Sequence, residues 1–531
     1  MIRFLITAIL CIISAGCNNN KSAIVDNRTL AYEVISNSTN NKAELEKVIL
    51  HYQNIGDSAK VQAVYYLIAN MPGKKSVVPI HENPFDSLYN RLKDVTYLPH
   101  PDDPSKSFLR LIVDSVRSYA SLNTVVLPDT EYITADFLIA NIDNAFEQWG
   151  KAPWHDQYNF DQFCEWVLPY RNGNEKLEDW RTIALQDKIP SEDSLLAASD
   201  MVALTKQLLG HNQINFHVDY SYYPFPVSFS EMMCLGSGTC GMSGQYGTQI
   251  LRARSIPVAE DVIPIWANRN SNHQWHSIIF PDGSSKDIGY NFGGVNPIGF
   301  KISKIYRKTN SIQREDILYK RKSDENIPPF FDRFNLIDVT TRYDFPVSDI
   351  EIDTDRDIDS KIMWLCTFNN FDWVPVAYTA INGKKAVFEG MGRGILWGDN
   401  DPAHNYFINE GGGIVYMPVF FIHNNMVPAA DPVILYEDDS IRKIEIDPAD
   451  KDVIYVKRKY PKSRDYVFNE NYLIGGRFEG ANKPDFSDAE PLVRIEKTHD
   501  NPMGKLSVYN DKPYNTTVQT LQGLRSASSG C

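Results

Sequence analysis

The chain reads as an α+β protein with a helical N-terminal region, a mixed middle and a β-rich C-terminal part. Three observations lead there. Apolar residues recur at helical spacing before about residue 150. Between about 154 and 320 a helix signature gives way to runs that alternate or stay apolar in strand fashion. Short strand-like runs then dominate from about 339 onward. At 531 residues the chain is long enough for roughly two to four domains.

The first segment is "MIRFLITAILCIISAGCNNN". Arg3 precedes an apolar run, Phe4 to about Ile13, that is too short to span a bilayer and has the form of an export signal. The Ser14-Ala15-Gly16-Cys17 ending resembles a bacterial lipobox, although a larger aliphatic residue is usual where Ser14 stands. That resemblance implies removal of residues 1–17 up to a lipidated Cys17, with Asn18-Asn19-Asn20 as a polar tether. The expectation is an exported protein held on the bacterial cell envelope by its lipid alone.

Residues 23–153 form the helical region. In "AELEKVILHY" the residues Leu45, Val48, Ile49 and Tyr52 share one face, and Asp57-Ser58 caps a second helix that runs through Ile68. Thr134 caps a third, whose stripe is Leu138, Ile142, Ala145 and Trp149. The middle unit, 154–325, contains "IPVAEDVIPIWA" and "WHSIIF", with a turn at Pro281–Ser284. From 339 to 531 the runs "KIMWLCTF", "WVPVAYTAI", "KKAVFEG", "GIVYMPVFF" and "DVIYVKRKY" predict a β-sandwich. Asn382-Gly383 marks a hairpin within it. The tail "TLQGLRSASSGC" has no periodicity.

Net charge is −14 with no basic tail or stripe, which argues against a nucleic-acid partner. Seven cysteines are present, and Cys11 and Cys17 belong to the signal. The remaining five, Cys164, Cys234, Cys240, Cys366 and Cys531, are scattered and odd in number, which points to a thiol kept for chemistry.

The stretch "GSGTCGMSG", Gly236–Gly244, begins as the dinucleotide fingerprint G-x-G-x-x-G, and Glu260 lies where a ribose partner would. Its context rejects that reading. The preceding "SFSEMMCL" has no β-branched residue and no strand period, and Gly244 and Gly247 interrupt the following helix. The alternative is a thiol nucleophile: Ser237 or Thr239 caps a helix from Cys240 to about Arg254. The dipole and free N–H groups there would lower the Cys240 pKa. A base and an orienting group are then needed. His273 opens a strand in "NHQWHSIIFPDGSSKDIG", and Asp287 follows beyond the turn, so a Cys–His–Asp triad is plausible if the hairpin brings Asp287 beside His273.

"GTCGMSGQYGTQILRARSIPVAEDV", followed by "NHQWHSIIFPDG" and "KDIG", resembles the transglutaminase-like superfamily. "LEKVILHYQNIGDSAKVQAVYYLIANMPG", "FCEWVLPYRNGNEKLEDWR", "DVTTRYDFPV" and "GGRFEGANKPDF" look like the flanks of large exported bacterial lipoproteins that carry this domain. The resemblance implies a papain-like α+β core, with Cys240 as nucleophile, His273 as general acid/base and Asp287 orienting the imidazole. Trp275 would pack beside the His and shield the pair from water. Ser255 stands where Gly is usual, and His276 replaces a more familiar Asn; neither touches the triad.

The expected activity is thiol-dependent acyl transfer through the Cys240–His273–Asp287 triad, hydrolysing a peptide or glycosylamide bond of a peptide, protein or glycopeptide substrate, with no cofactor. The competing expectation is a catalytically silent surface lipoprotein that binds glycans or peptides. A metal site from Cys240, His273, His276 and Asp287 lacks close ligand pairs and is disfavoured. Arg171 in "LPYR" and Arg181 in "DWR" are read as ties between the helical part and the core.

Overall fold

The computed structural model describes residues 26–80, 123–186, 200–216, 223, 225–267, 271–288, 300–321, 326–343, 346–354, 356, 360–368, 372–393, 396–397, 413–423, 425–444, 454–456, 477–480, 487–494 and 514–516. The export signal with Cys17, and the C-terminal tail with Cys531, lie outside the described residues. The fold mixes helix and sheet, with helices gathered in the first half and antiparallel sheet in the second.

Helices α1 (Asn27–Asn37), α2 (Lys42–Ile55), α3 (Ser58–Ala69) and α4 (Ala135–Lys151) surround the first core. The α2 stripe is Leu45, Val48, Ile49 and Tyr52, all buried, each contributing about 1.5–3 kcal/mol of apolar burial. Asp57 accepts from the Lys60 N–H and Thr134 from the Phe137 N–H, so both expected caps form. Between α3 and α4, β1 (Lys75–Pro79) and β2 (Thr124–Pro128) pair as an antiparallel ribbon.

Helices α5 (Phe160–Trp166) and α6 (Trp180–Gln186) join this region to the second core, with two buried arginines as clamps. Arg171 places both Nε and Nη2 on the Asp129 carboxylate at 2.7 Å and Nη1 on three backbone carbonyls. Arg181 donates to the Asn141 side chain of α4 at 2.7 Å and to the Arg252 carbonyl at 3.0 Å. Both act as ties, as expected.

The second core packs α7 (Met201–His211), α8 (Phe229–Leu235) and α9 (Cys240–Ala253) against a sheet. "SFSEMMCL" is thus helical, with a capping box between Ser228 and Glu231. Two short strands, β3 (Asn215–Phe216) and β4 (Ser237–Gly238), pair in parallel just before α9. The sheet proper comprises β5 (Val258–Ile263), β6 (His273–Ile279) and β7 (Ser285–Ile288), with β8 (Phe300–Lys301) outside it, then β9 (Tyr306–Lys308) and β10 (Leu336–Asp338). Its order is β10-β9-β5-β6-β7, antiparallel throughout. Ser255, after α9, takes the left-handed conformation at φ 58°, which explains why a glycine suits that place.

The C-terminal part contains β11 (Val347–Asp353), β12 (Ile362–Phe368), β13 (Trp373–Asn382), β14 (Lys385–Gly392), β15 (Leu396–Trp397), β16 (Ile414–Ile422), β17 (Asn425–Pro428), β18 (Val433–Leu435) and β19 (Ile441–Lys443). All of these except β15, which pairs with β8, form one eight-stranded antiparallel sheet. The expected two-layer sandwich is therefore not what the described strands build. Strand β12 explains the difference. Met363 and Leu365 face a core within the curved sheet, while Ile362, Trp364 and Cys366 face Val262 and Tyr306 of the middle unit and Phe331. Its outer face is covered by the neighbouring unit, so its apolar run needs no second sheet. The Asn382-Gly383 hairpin forms, with Gly383 at φ 67°.

Candidate active site

Cys240 is the first residue of α9. Thr239 has extended backbone, and its hydroxyl accepts from the Met242 N–H, so the cap falls where the sequence placed it. The thiol is half-buried. It lies against the backbone N–H of Gln274, the first residue after His273, and near the N–H groups of Gly241 and of Cys240 itself. These contacts favour a thiolate. Burial is the larger effect and Glu260 opposes ionisation too, so the Cys240 pKa rises above its ordinary value. The expected lowering by the helix terminus is therefore overturned: desolvation outweighs the N–H groups.

Helix α9 rests on one face of the sheet, and three glycines spaced three apart let it come close. A Cβ on Gly241 would meet Gln274 Nε2 at 2.5 Å. One on Gly244 would meet Glu260 Oε1 at 3.0 Å, and one on Gly247 would meet His276 Nε2 at 2.5 Å. His276 Nε2 also lies 2.9 Å from the Gly244 carbonyl. Gln274 and His276 therefore face the helix, and strand alternation turns His273 and Trp275 to the other side.

On that other side His273 is buried, stacked on Trp266 with ring centres 6.0 Å apart and 5.6 Å from the Trp275 ring. Burial lowers its pKa to about 4, so the ring is neutral at neutral pH. Trp275 is 1% exposed, and its Nε1 donates to Tyr343 Oη at 2.8 Å. Among the described residues no hydrogen bond joins the Cys240 sulfur to the His273 ring. What adjoins the thiol is the peptide between His273 and Gln274.

The hairpin does not bring Asp287 beside His273. Phe280 N–H closes the turn on the Ser284 carbonyl at 2.9 Å and the first strand pair is Ile279 with Ser285, so Asp287 lies opposite Ser277. Ser277 is four residues beyond His273, roughly 13 Å along the strand. The length of the turn fixes this register, and Asp287 is placed too far to orient the imidazole.

Two buried carboxylates that the motif reasoning left out of the site flank it instead. Asp261 lies opposite Trp275 on the His273 face. It receives Arg307 Nε and Nη2, each at 2.8 Å, Ser277 Oγ at 2.8 Å and Tyr343 Oη at 2.6 Å. Glu260 lies under α9. It is paired with Lys308 Nζ at 2.9 Å and receives the Asn172 side-chain amide. Lys308 Nζ also donates to Gln274 Oε1 at 2.8 Å. The available signal was "AEDV", two adjacent acids inside an otherwise apolar strand.

Among the described residues no group of three His, Cys, Asp or Glu could hold a metal ion, and Cys164, Cys240 and Cys366 form no disulfide. No described helix is long and apolar enough to cross a membrane. Comparison with protein-family models, with curated proteins and with solved structures finds no match to this chain.

Proposed function

We propose that the chain is a thiol-dependent acyl-transfer enzyme of transglutaminase-like type, with a papain-like core, that hydrolyses an amide bond in a peptide, protein or glycopeptide. One observation carries this reading: the Cys240 thiol, at the first turn of a capped 14-residue helix, lies against the peptide that follows His273. A thiol at a helix start beside a strand that begins with His supports this reading, since a nucleophile and a base then lie in adjoining elements.

In the proposed reaction the His273 imidazole accepts the Cys240 proton within the substrate complex. The sulfur attacks the substrate carbonyl carbon, and the C=O electron pair moves onto oxygen. Collapse of that intermediate breaks the C–N bond, and the imidazolium gives its proton to the departing amine. Water, deprotonated by the same imidazole, then cleaves the thioester to acid and thiol. The resting thiol and imidazole are both neutral, so activation belongs to the substrate complex rather than to a standing ion pair. We place this activity outside the cytoplasm, on a lipid anchored through Cys17.

The same neutral, separated groups favour a second reading, a silent lipoprotein that binds glycans or peptides. Alkylation by iodoacetamide across pH, on wild type, Cys240→Ala and His273→Ala, tests the first. Cys240 is expected to alkylate with a midpoint above about 8.5, and to take an acyl group from peptide or glycopeptide pools at a rate that His273→Ala abolishes. Ligand binding that survives Cys240→Ala, with no acyl adduct on wild type, would leave only the binding reading.

A further inference from the structure

The chain Glu260–Lys308–Gln274 does more than neutralise a buried acid. Lys308 Nζ can only donate, and it contacts both Glu260 Oε1 and Gln274 Oε1. The Gln274 amide therefore has one possible orientation. Its oxygen is fixed on the ammonium, and its NH2 group must point the other way. That other end is Nε2, and it occupies the space that a Cβ on Gly241, the residue after Cys240, would need. Gln274 is half-buried, in contrast to the fully buried residues that follow it in β6, and its Nε2 sits beside the residue that follows the nucleophile in the first turn of α9.

The electrostatics agree with the geometry. Glu260 is 1% exposed and would be costly to bury without its cation. Lys308 satisfies it and polarises the Gln274 amide, which strengthens the N–H groups as donors. When Cys240 attacks a carbonyl, the oxygen that gains charge falls among the N–H groups of the first turn of α9. Those are the same groups that already contact the sulfur.

Resting on the acyl-transfer reading above, we infer that Gln274 is a catalytic residue whose Nε2 donates to the substrate oxyanion, and that Lys308 is the positioning residue that aims it. This assigns a function to a side chain that lies between the two aromatic-face residues, His273 and Trp275, yet points to the opposite face.

Two reactions of the same thiol separate this role from a structural one. Alkylation by iodoacetamide forms no oxyanion, whereas acylation by p-nitrophenyl acetate does. On the full chain, Gln274→Leu is expected to lower the acylation rate of Cys240 by roughly 100- to 1000-fold and to leave its alkylation rate and pH midpoint unchanged. Gly241→Ala, which pushes Nε2 aside while keeping the amide, should reproduce the loss. Lys308→Met should lower acylation in the same direction by less.

Gln274→Leu that acylates at the wild-type rate overturns the assignment, and so does an equal loss of both reactions, which would mean that Gln274 only supports the fold. Wild type that alkylates at Cys240 but accepts no acyl group overturns the acyl-transfer reading itself, and this inference with it.

Discussion

Glu260 and Asp261 are neighbours in β5, both almost wholly buried, and they answer the same problem in different ways. Asp261 faces the aromatic side. A planar guanidinium holds both of its oxygens, two hydroxyls complete the set, and Tyr343 ties the group to Trp275. Both carboxylate oxygens of Asp261 are held by charged or hydroxyl donors. Glu260 faces α9, and its cation is an ammonium that also reaches a half-buried amide next to the thiol. One carboxylate terminates a network; the other begins a chain that ends at the Gln274 amide beside Gly241, the residue after Cys240. The planar fork serves rigidity, and the point charge on a flexible stem serves aim.

Removing each cation breaks the comparison most directly. Arg307→Met leaves Asp261 charged and unpaired in the interior, and should lower stability by about 3–5 kcal/mol in urea unfolding. Adding Asp261→Asn to that variant should restore part of the loss. A cost near zero for Arg307→Met would mean that the aromatic face is not locked.

The two faces also differ by a histidine each. His273 has its pKa lowered by burial to about 4, and His276 is lowered as well, chiefly by burial and against the pull of Glu260. The unfolded chain binds these protons near pH 6.5 and the folded chain does not, so the unfolded state holds more protons below that pH. Stability is thus full above about 6.5 and falls as pH drops toward 4, by roughly 3 kcal/mol for His273 alone. His273→Phe should flatten that part of the stability–pH curve. An unchanged slope would show that the ring is not held neutral.

The smallest of the three effects is expected at Lys308. It is partly exposed, and Asn172 still serves Glu260, so Lys308→Met should destabilise by only about 1–3 kcal/mol. If it equals Arg307→Met, the contrast between a closed and an open network fails.

Local chemistry made much of this legible. The α2 stripe, the caps at Asp57, Thr134 and Thr239, the turn before β7 and the Asn382-Gly383 hairpin each follow from residues within a few positions of one another. What escaped depended on pairing at a distance. The register that places Asp287 opposite Ser277 is set by turn geometry, which a four-residue motif does not specify. Alternation separates His273 from Gln274, yet nothing local says which of them meets a helix. Arg307 and Tyr343 come from 46 and 82 residues beyond Asp261, so the strand itself could not announce them. The Cys240 pKa was misjudged because the helix terminus is visible in sequence and burial is not.

The glycine stripe of α9 has a spectroscopic consequence. With no side chain at Gly244 or Gly247, the underside of the helix exposes a main-chain carbonyl to His276 Nε2. A carbonyl only accepts, so docking of the helix selects the Nε2–H tautomer of a neutral ring. Nitrogen chemical shifts of that one imidazole would then report how firmly the thiol-bearing helix is seated, without touching the thiol at all.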